Sequence, residues 1–173
     1  DTKSELDTYM AQADDTARIF LSGNYPLVSL MRRYEAFMRE RVHACLDTET
    51  TYSGILALNA LAGFLASARM ALSGHPVACY SLLRTALESA AYALIILHNP
   101  GSDDIWRKRQ DGPAEHKACR KAFTFDIGIS LIKDTAPEIY DLCKGSYDSL
   151  IDYGAHPNVH GIMPHLSHKR KGE

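Results

Sequence analysis

A chain of 173 residues is long enough for one domain with a full hydrophobic core and too short to expect two. Apolar residues make up 46% and charged residues 23%, an ordinary globular balance. The net charge of −2 excludes a whole-molecule attraction to DNA, RNA or an anionic membrane, leaving only local patches for such contacts.

No segment alternates apolar and polar residues as a strand would, whereas helical spacing recurs throughout. Leu6, Met10, Ala13, Ala17, Phe20 and Leu21 fall on one stripe, which predicts a first helix over 3–22, ended by Gly23-Asn24. Pro26 suits the first turn of a second helix, where a missing N–H costs nothing. Its apolar positions are Leu27, Leu30, Met31, Tyr34, Phe37, Met38 and Val42. Asp47 or Thr48 is the expected cap of a third helix. Residues 50–68 carry no charge and approach the length of a bilayer span. Thr50, Thr51, Tyr52, Ser53, Asn59 and Ser67 nevertheless point to the central helix of a soluble bundle. Ala57, Ala60, Ala62, Gly63 and Ala66 would let a neighbouring helix approach it closely, and a helix–helix interface with a partner is one use for them.

After Gly74, Pro76 opens a fourth helix, apolar on nearly every side except at Arg84 and Glu88, and therefore expected to be central. Asn99-Pro100-Gly101 stops it. A short helix over 102–110 anchored by Trp106 follows, then a longer one over 113–133. Thr135 to Glu138 reads as a capping box for the last helix, which carries Tyr140, Leu142, Cys143, Tyr147, Leu150 and Ile151 and ends at Gly154 and Pro157. The expected fold is all-α: an up-and-down bundle of four to five long helices plus short ones, one domain over 1–157 with an irregular tail over 158–173.

Arg84 and Glu88 lie four apart, on one helical face. Either they form an internal ion pair that fixes helix register, or Arg84 recognises a phosphate or carboxylate while Glu88 orients it. Asp152 and His156, also four apart, are a candidate acid–base unit, or His156 simply closes its own helix. Trp106, Arg107, Lys108 and Arg109, with His116, Lys117, Arg120 and Lys121, form a basic cluster that reads first as a solvated helical face, given the dilution by Asp103, Asp104, Asp111 and Glu115, and alternatively as a site for RNA backbone or a phosphate. The tail histidines His156, His160, His165 and His168 are interrupted by Pro157 and Pro164 and joined by no carboxylate, so no metal site is expected. Cys45, Cys79, Cys119 and Cys143 form no CxxC pair, and free thiols in a reducing cytoplasm are expected. The polar opening DTKSELDTYM is not a signal peptide. Nucleotide-binding glycine loops, GxSxG and HExxH are absent, so no cofactor is expected.

The run GHPVACYSLLRTALESAAYALIIL, the Trp-containing segment after it and the late Tyr…His-Pro-Asn resemble uncharacterised bacterial helical families related to the HEPN superfamily, over residues 52–160. The resemblance implies a bundle that is frequently a homodimer, and a place near RNA-cleaving toxins and defence proteins. It implies metal-independent RNA cleavage where Arg-x4–6-His is present near the last core helix. This sequence departs there: Ser149, Leu150 and Ile151 occupy the positions of that arginine ahead of His156. Arg69…His75 and Arg109…His116 match the spacing elsewhere, at a frequency chance supplies. The expected ligand-binding set is Arg84, Glu88, Trp106, Tyr153 and Asn158, with Arg84 and His156 as catalytic candidates, RNA or a nucleotide as partner and no membrane.

Overall fold

Every regular element among the described residues, 4–46 and 51–154 of the computed structural model, is a helix. Four long ones are α1 (Glu5–Ser22), α2 (Pro26–Leu46), α3 (Thr51–Leu72) and α4 (Pro76–His98). The short α5 (Ser102–Arg107), a 3-10 turn at Lys108–Gln110, α6 (Pro113–Ala122) and α7 (Phe125–Ser130) lead to the long α8 (Pro137–Gly154). The expected cap at Asp47 or Thr48 lies outside the described residues.

Local chemistry sets the ends. Ser4 Oγ accepts from the Asp7 amide at 3.1 Å while the Asp7 carboxylate accepts from the Ser4 amide at 3.2 Å, a closed capping box that starts α1. Gly74, at φ +84°, ends α3 in the left-handed region, with the His75 amide reaching back to the Met70 carbonyl at 2.8 Å. The single helix expected over 113–133 is instead two. Phe123 is extended, and Thr124 starts α7 by accepting from the Ile127 amide at 3.2 Å, so α7 turns back against α4. The Thr135 hydroxyl, expected to cap the last helix, donates to the Ile132 carbonyl at 3.3 Å.

The α3–α4 hairpin is the axis of the molecule. Gly63 of α3 serves this internal contact: a Cβ there would sit 3.1 Å from Ala86 Cβ, so only glycine gives this approach without displacement. On its other side α4 carries α7 and α8. One core joins Leu56, Ala93, Ile95, Ile96, Cys119 and Phe123. A second joins Ala91, Phe125 and Ile129, with Tyr140, Cys143 and Tyr147 packed on it. The expectation of a central fourth helix holds. By length and composition, α4 and Tyr52–Leu72 of α3 are each apolar enough to cross a membrane; here they pack on each other.

The N-terminal pair is attached differently. Helix α2 packs on α3, and α1 touches α3 only lightly. Of the α1 stripe only Ala17 is buried, because no helix covers it further, and Leu6 is 66% exposed. Fixed points of α1 are the Tyr9 hydroxyl on His75 Nε2 and the Arg69–Asp14 ion pair.

Candidate functional site

Arg84, Glu88 and Tyr92 follow one another at spacings of four, which aligns them along one face of α4. Helix α8 runs antiparallel beside them: Tyr147 meets Glu88, and Gly154 meets Ser81, whose hydroxyl donates to the Gly154 carbonyl at 2.9 Å. Gly154 is needed there, because a Cβ would fall 2.6 Å from Tyr80 Cβ.

The Tyr147 hydroxyl donates to Glu88 Oε1 at 2.6 Å. Its ring stacks on Phe125 with centroids 3.8 Å apart and planes 12° apart. Burial, and then the hydrogen bond to Glu88, push the phenol well above the usual tyrosine range. Burial, followed by the Glu88 charge, also raises Tyr92, and Arg109 on the 3-10 turn opposes that shift. On the adjacent edge of α4, Asn59 of α3 donates to Ser89 Oγ at 2.7 Å, and Ser89 donates to the Thr85 carbonyl at 2.8 Å.

Arg84 is the unsatisfied member of this strip. Its Nε lies 3.6 Å from Glu88 Oε1, an ion-pair contact too long for a hydrogen bond. That Nε is buried and finds no acceptor among the described residues, although the side chain as a whole is 35% exposed. Glu88 is turned instead to Tyr147. The guanidinium is thus held at one edge by charge, with donors left over for an incoming oxyanion. Beside the strip, Leu83, Leu87, Ser146, Ser149 and Leu150 line a shallow groove of about 450 Å³ between α4 and α8, which Arg84 does not enter.

Among the expected residues, Arg84 and Glu88 are together. Tyr153 lies at the same end, its ring 5.7 Å from that of Tyr80, one turn before Arg84. Trp106 does not join them. It is packed against the first core, 6.0 Å from Tyr52, near Ile95, which lies about 16 Å along α4 from Arg84 at 1.5 Å per residue. His156 and Asn158 lie outside the described residues, as do His160, His165 and His168. Tyr147 was not expected in the site: its spacing with Cys143 and Leu150 marks only an inward face, and nothing in that pattern announces Glu88 as its acceptor.

The basic cluster is divided. Arg107 and Lys108 both pair with Asp104, and those hydrogen bonds, Lys108 first, hold the carboxyl of Asp104 below its ordinary range. Arg109 and, on one face of α6, Lys117, Arg120 and Lys121 are exposed, with no ion pair among the described residues. No cluster of three metal-ligating side chains occurs among the described residues. Arg69 is bound to Asp14 and His75 to Tyr9, so that spaced pair forms no joint site. No family model, curated protein or solved structure matches this chain.

Proposed function

We propose that this chain is a HEPN-like cytoplasmic protein that binds RNA or another phosphate-bearing ligand, in a defence or toxin–antitoxin role. The observation that carries the reading is the half-buried Arg84 guanidinium, which holds a charge contact to Glu88 and lacks a hydrogen-bond acceptor on its buried Nε. The exposed part of that guanidinium, its Nη edge, makes no hydrogen bond among the described residues and is the part a phosphate oxygen can meet. The exposed cations Arg109, Lys117, Arg120 and Lys121, a second positive patch apart from Arg84, favour a polyanion over a small carboxylate.

The test is binding of end-labelled single-stranded RNA, and separately of a nucleoside monophosphate, across a salt series. Arg84→Ala is expected to keep its helicity and weaken both ligands at least about tenfold. The triple Lys117→Ala, Arg120→Ala, Lys121→Ala variant is expected to weaken RNA alone and reduce the slope of log affinity on log salt by about 2, at ~0.7 per phosphate contact. Unfolding of Arg84→Ala would mean that the pair with Glu88 only holds the helices. The same RNA incubated in EDTA beside His156→Ala tests the ribonuclease reading, which requires cleavage by the wild type that the variant loses.

A further inference from the structure

Helices α1, α2 and α3 leave an apolar groove where they meet. It has two halves, of about 160 Å³ and 250 Å³, which share Val28, Met31 and Leu72. The half at Leu27 and Ala71 is lined by aliphatic and aromatic side chains. The half at Phe64 carries the charged groups of the groove, Arg32 and Glu35. Along α2 the lining runs from Leu27 to Glu35, and along α3 from Phe64 to Leu72. At 1.5 Å per helical residue, either edge is about 12 Å long. Water in such a groove finds few hydrogen-bond partners, so an apolar chain that displaces it is favoured.

The charges at one end identify the occupant. Glu35 is held by Arg39, whose Nε and Nη2 lie 2.6 Å and 2.5 Å from its Oε1. Arg32 has no carboxylate partner among the described residues. Its Nη2 donates to the Leu21 carbonyl, in the last turn of α1, at 2.7 Å. That bond fixes the exposed guanidinium at the rim and leaves its other donors for a ligand. With Glu35 balanced by Arg39, this end carries a positive charge in excess. An alkyl chain with one anionic head suits both ends, the apolar lining taking the chain and the few polar groups fixing its direction. A carboxylate head matches the guanidinium, because it accepts two parallel N–H bonds. C–C bonds of about 1.5 Å advance an extended chain by ~1.3 Å each, so about ten carbons fill the groove.

We infer that this groove binds a medium-chain fatty acid, its alkyl chain lying on Val28, Met31 and Leu72 and its carboxylate on Arg32. The site lies apart from the Arg84 strip and is independent of what that strip binds.

Calorimetric titration of the full chain with hexanoate, octanoate and decanoate, each below its micelle concentration, tests it. The wild type is expected to bind decanoate saturably, and each methylene along the series to tighten binding about three- to fourfold. Octanoate is expected to bind about tenfold tighter than octanol, which lacks the charge. Arg32→Gln keeps an amide donor for the Leu21 carbonyl and removes the charge. It is expected to retain its helicity and to bind octanoate no better than octanol. Ala71→Phe fills the apolar half and is expected to lose both ligands, whereas Arg84→Ala is expected to bind decanoate as the wild type does. Absence of saturable decanoate binding overturns the inference, and so does a wild type that takes octanol as tightly as octanoate, or binding indifferent to Ala71→Phe. A wild type that ignores dissolved decanoate but floats with phosphatidylcholine–phosphatidylglycerol vesicles would assign this face to a lipid surface and equally refute the site.

Discussion

The two ends of this chain use similar apolar residues to opposite effect. After Gly74, aromatic and aliphatic side chains are drawn inward: Phe123, Phe125, Ile129 and Ile95 are each less than 5% exposed. Before Asp47, residues of the same kind stand in solvent, with Leu6, Leu27 and Leu30 near 60% exposed or above. Composition does not separate the two regions; the number of neighbours does. Helix α4 has α3 on one side and α7 and α8 on the other, whereas α2 has α3 as its one broad neighbour and α1 touches α3 lightly, with Arg32 of α2 donating to the Leu21 carbonyl of α1. An amphipathic stripe is therefore evidence that a helix seeks cover, and the position of that cover, within the chain or on another molecule, is decided by topology.

Substitutions sharpen this contrast. The largest expected effect is at Gly128, where a Cβ would lie 2.5 Å from the Ala91 carbonyl oxygen and 2.6 Å from Ala91 Cβ. Gly128→Val forces α7 off α4, and a loss of about 3 kcal/mol is expected, seen as a fall of roughly 6–12 °C in Tm. Were Gly128→Val neutral, the tight packing of this half would be refuted. Tyr147→Phe is expected to cost about 1 kcal/mol near neutral pH, measured by urea unfolding, because it removes the hydroxyl that Glu88 accepts from. The native phenol is raised above its unfolded value, so its contribution is complete below the ordinary tyrosine pKa of about 10 and is lost as pH rises beyond it. The stability gap between wild type and Tyr147→Phe should accordingly shrink above that pH. Smallest is Leu30→Ser, 59% exposed in the single chain. At concentrations where the chain is monomeric it should move stability by no more than about 0.5 kcal/mol, and a larger loss would place Leu30 inside the fold.

The helices were legible in the sequence because prolines and glycines punctuate the chain where they also shape it: Pro26, Pro76, Pro113 and Pro137 each open a helix, and Gly23 and Gly74 each follow one. Arg84 and Glu88 were legible for the same local reason, as two charges in an otherwise apolar helix. The break at Phe123-Thr124 was not, since the stripe continues through it and only the pull of two separate cores bends the chain. The partner of Glu88 was hidden too: Tyr147 comes from a helix 59 positions away, and register between two helices is a property of packing that no local pattern contains. Trp106 misled in the opposite direction. An aromatic beside three cations resembles a stacking platform, but its indole is occupied by Tyr52 and the first core.

The cysteines turn this difference in cover into a clock. Cys79 and Cys119 are free and buried, Cys143 is free and half-buried, and burial holds all three thiols above their ordinary range. Each sulfur is therefore a poor nucleophile until its surroundings part. Alkylation by a small maleimide, followed residue by residue, would time the opening of α4 at Cys79, of α6 at Cys119 and of α8 at Cys143 without any engineered label.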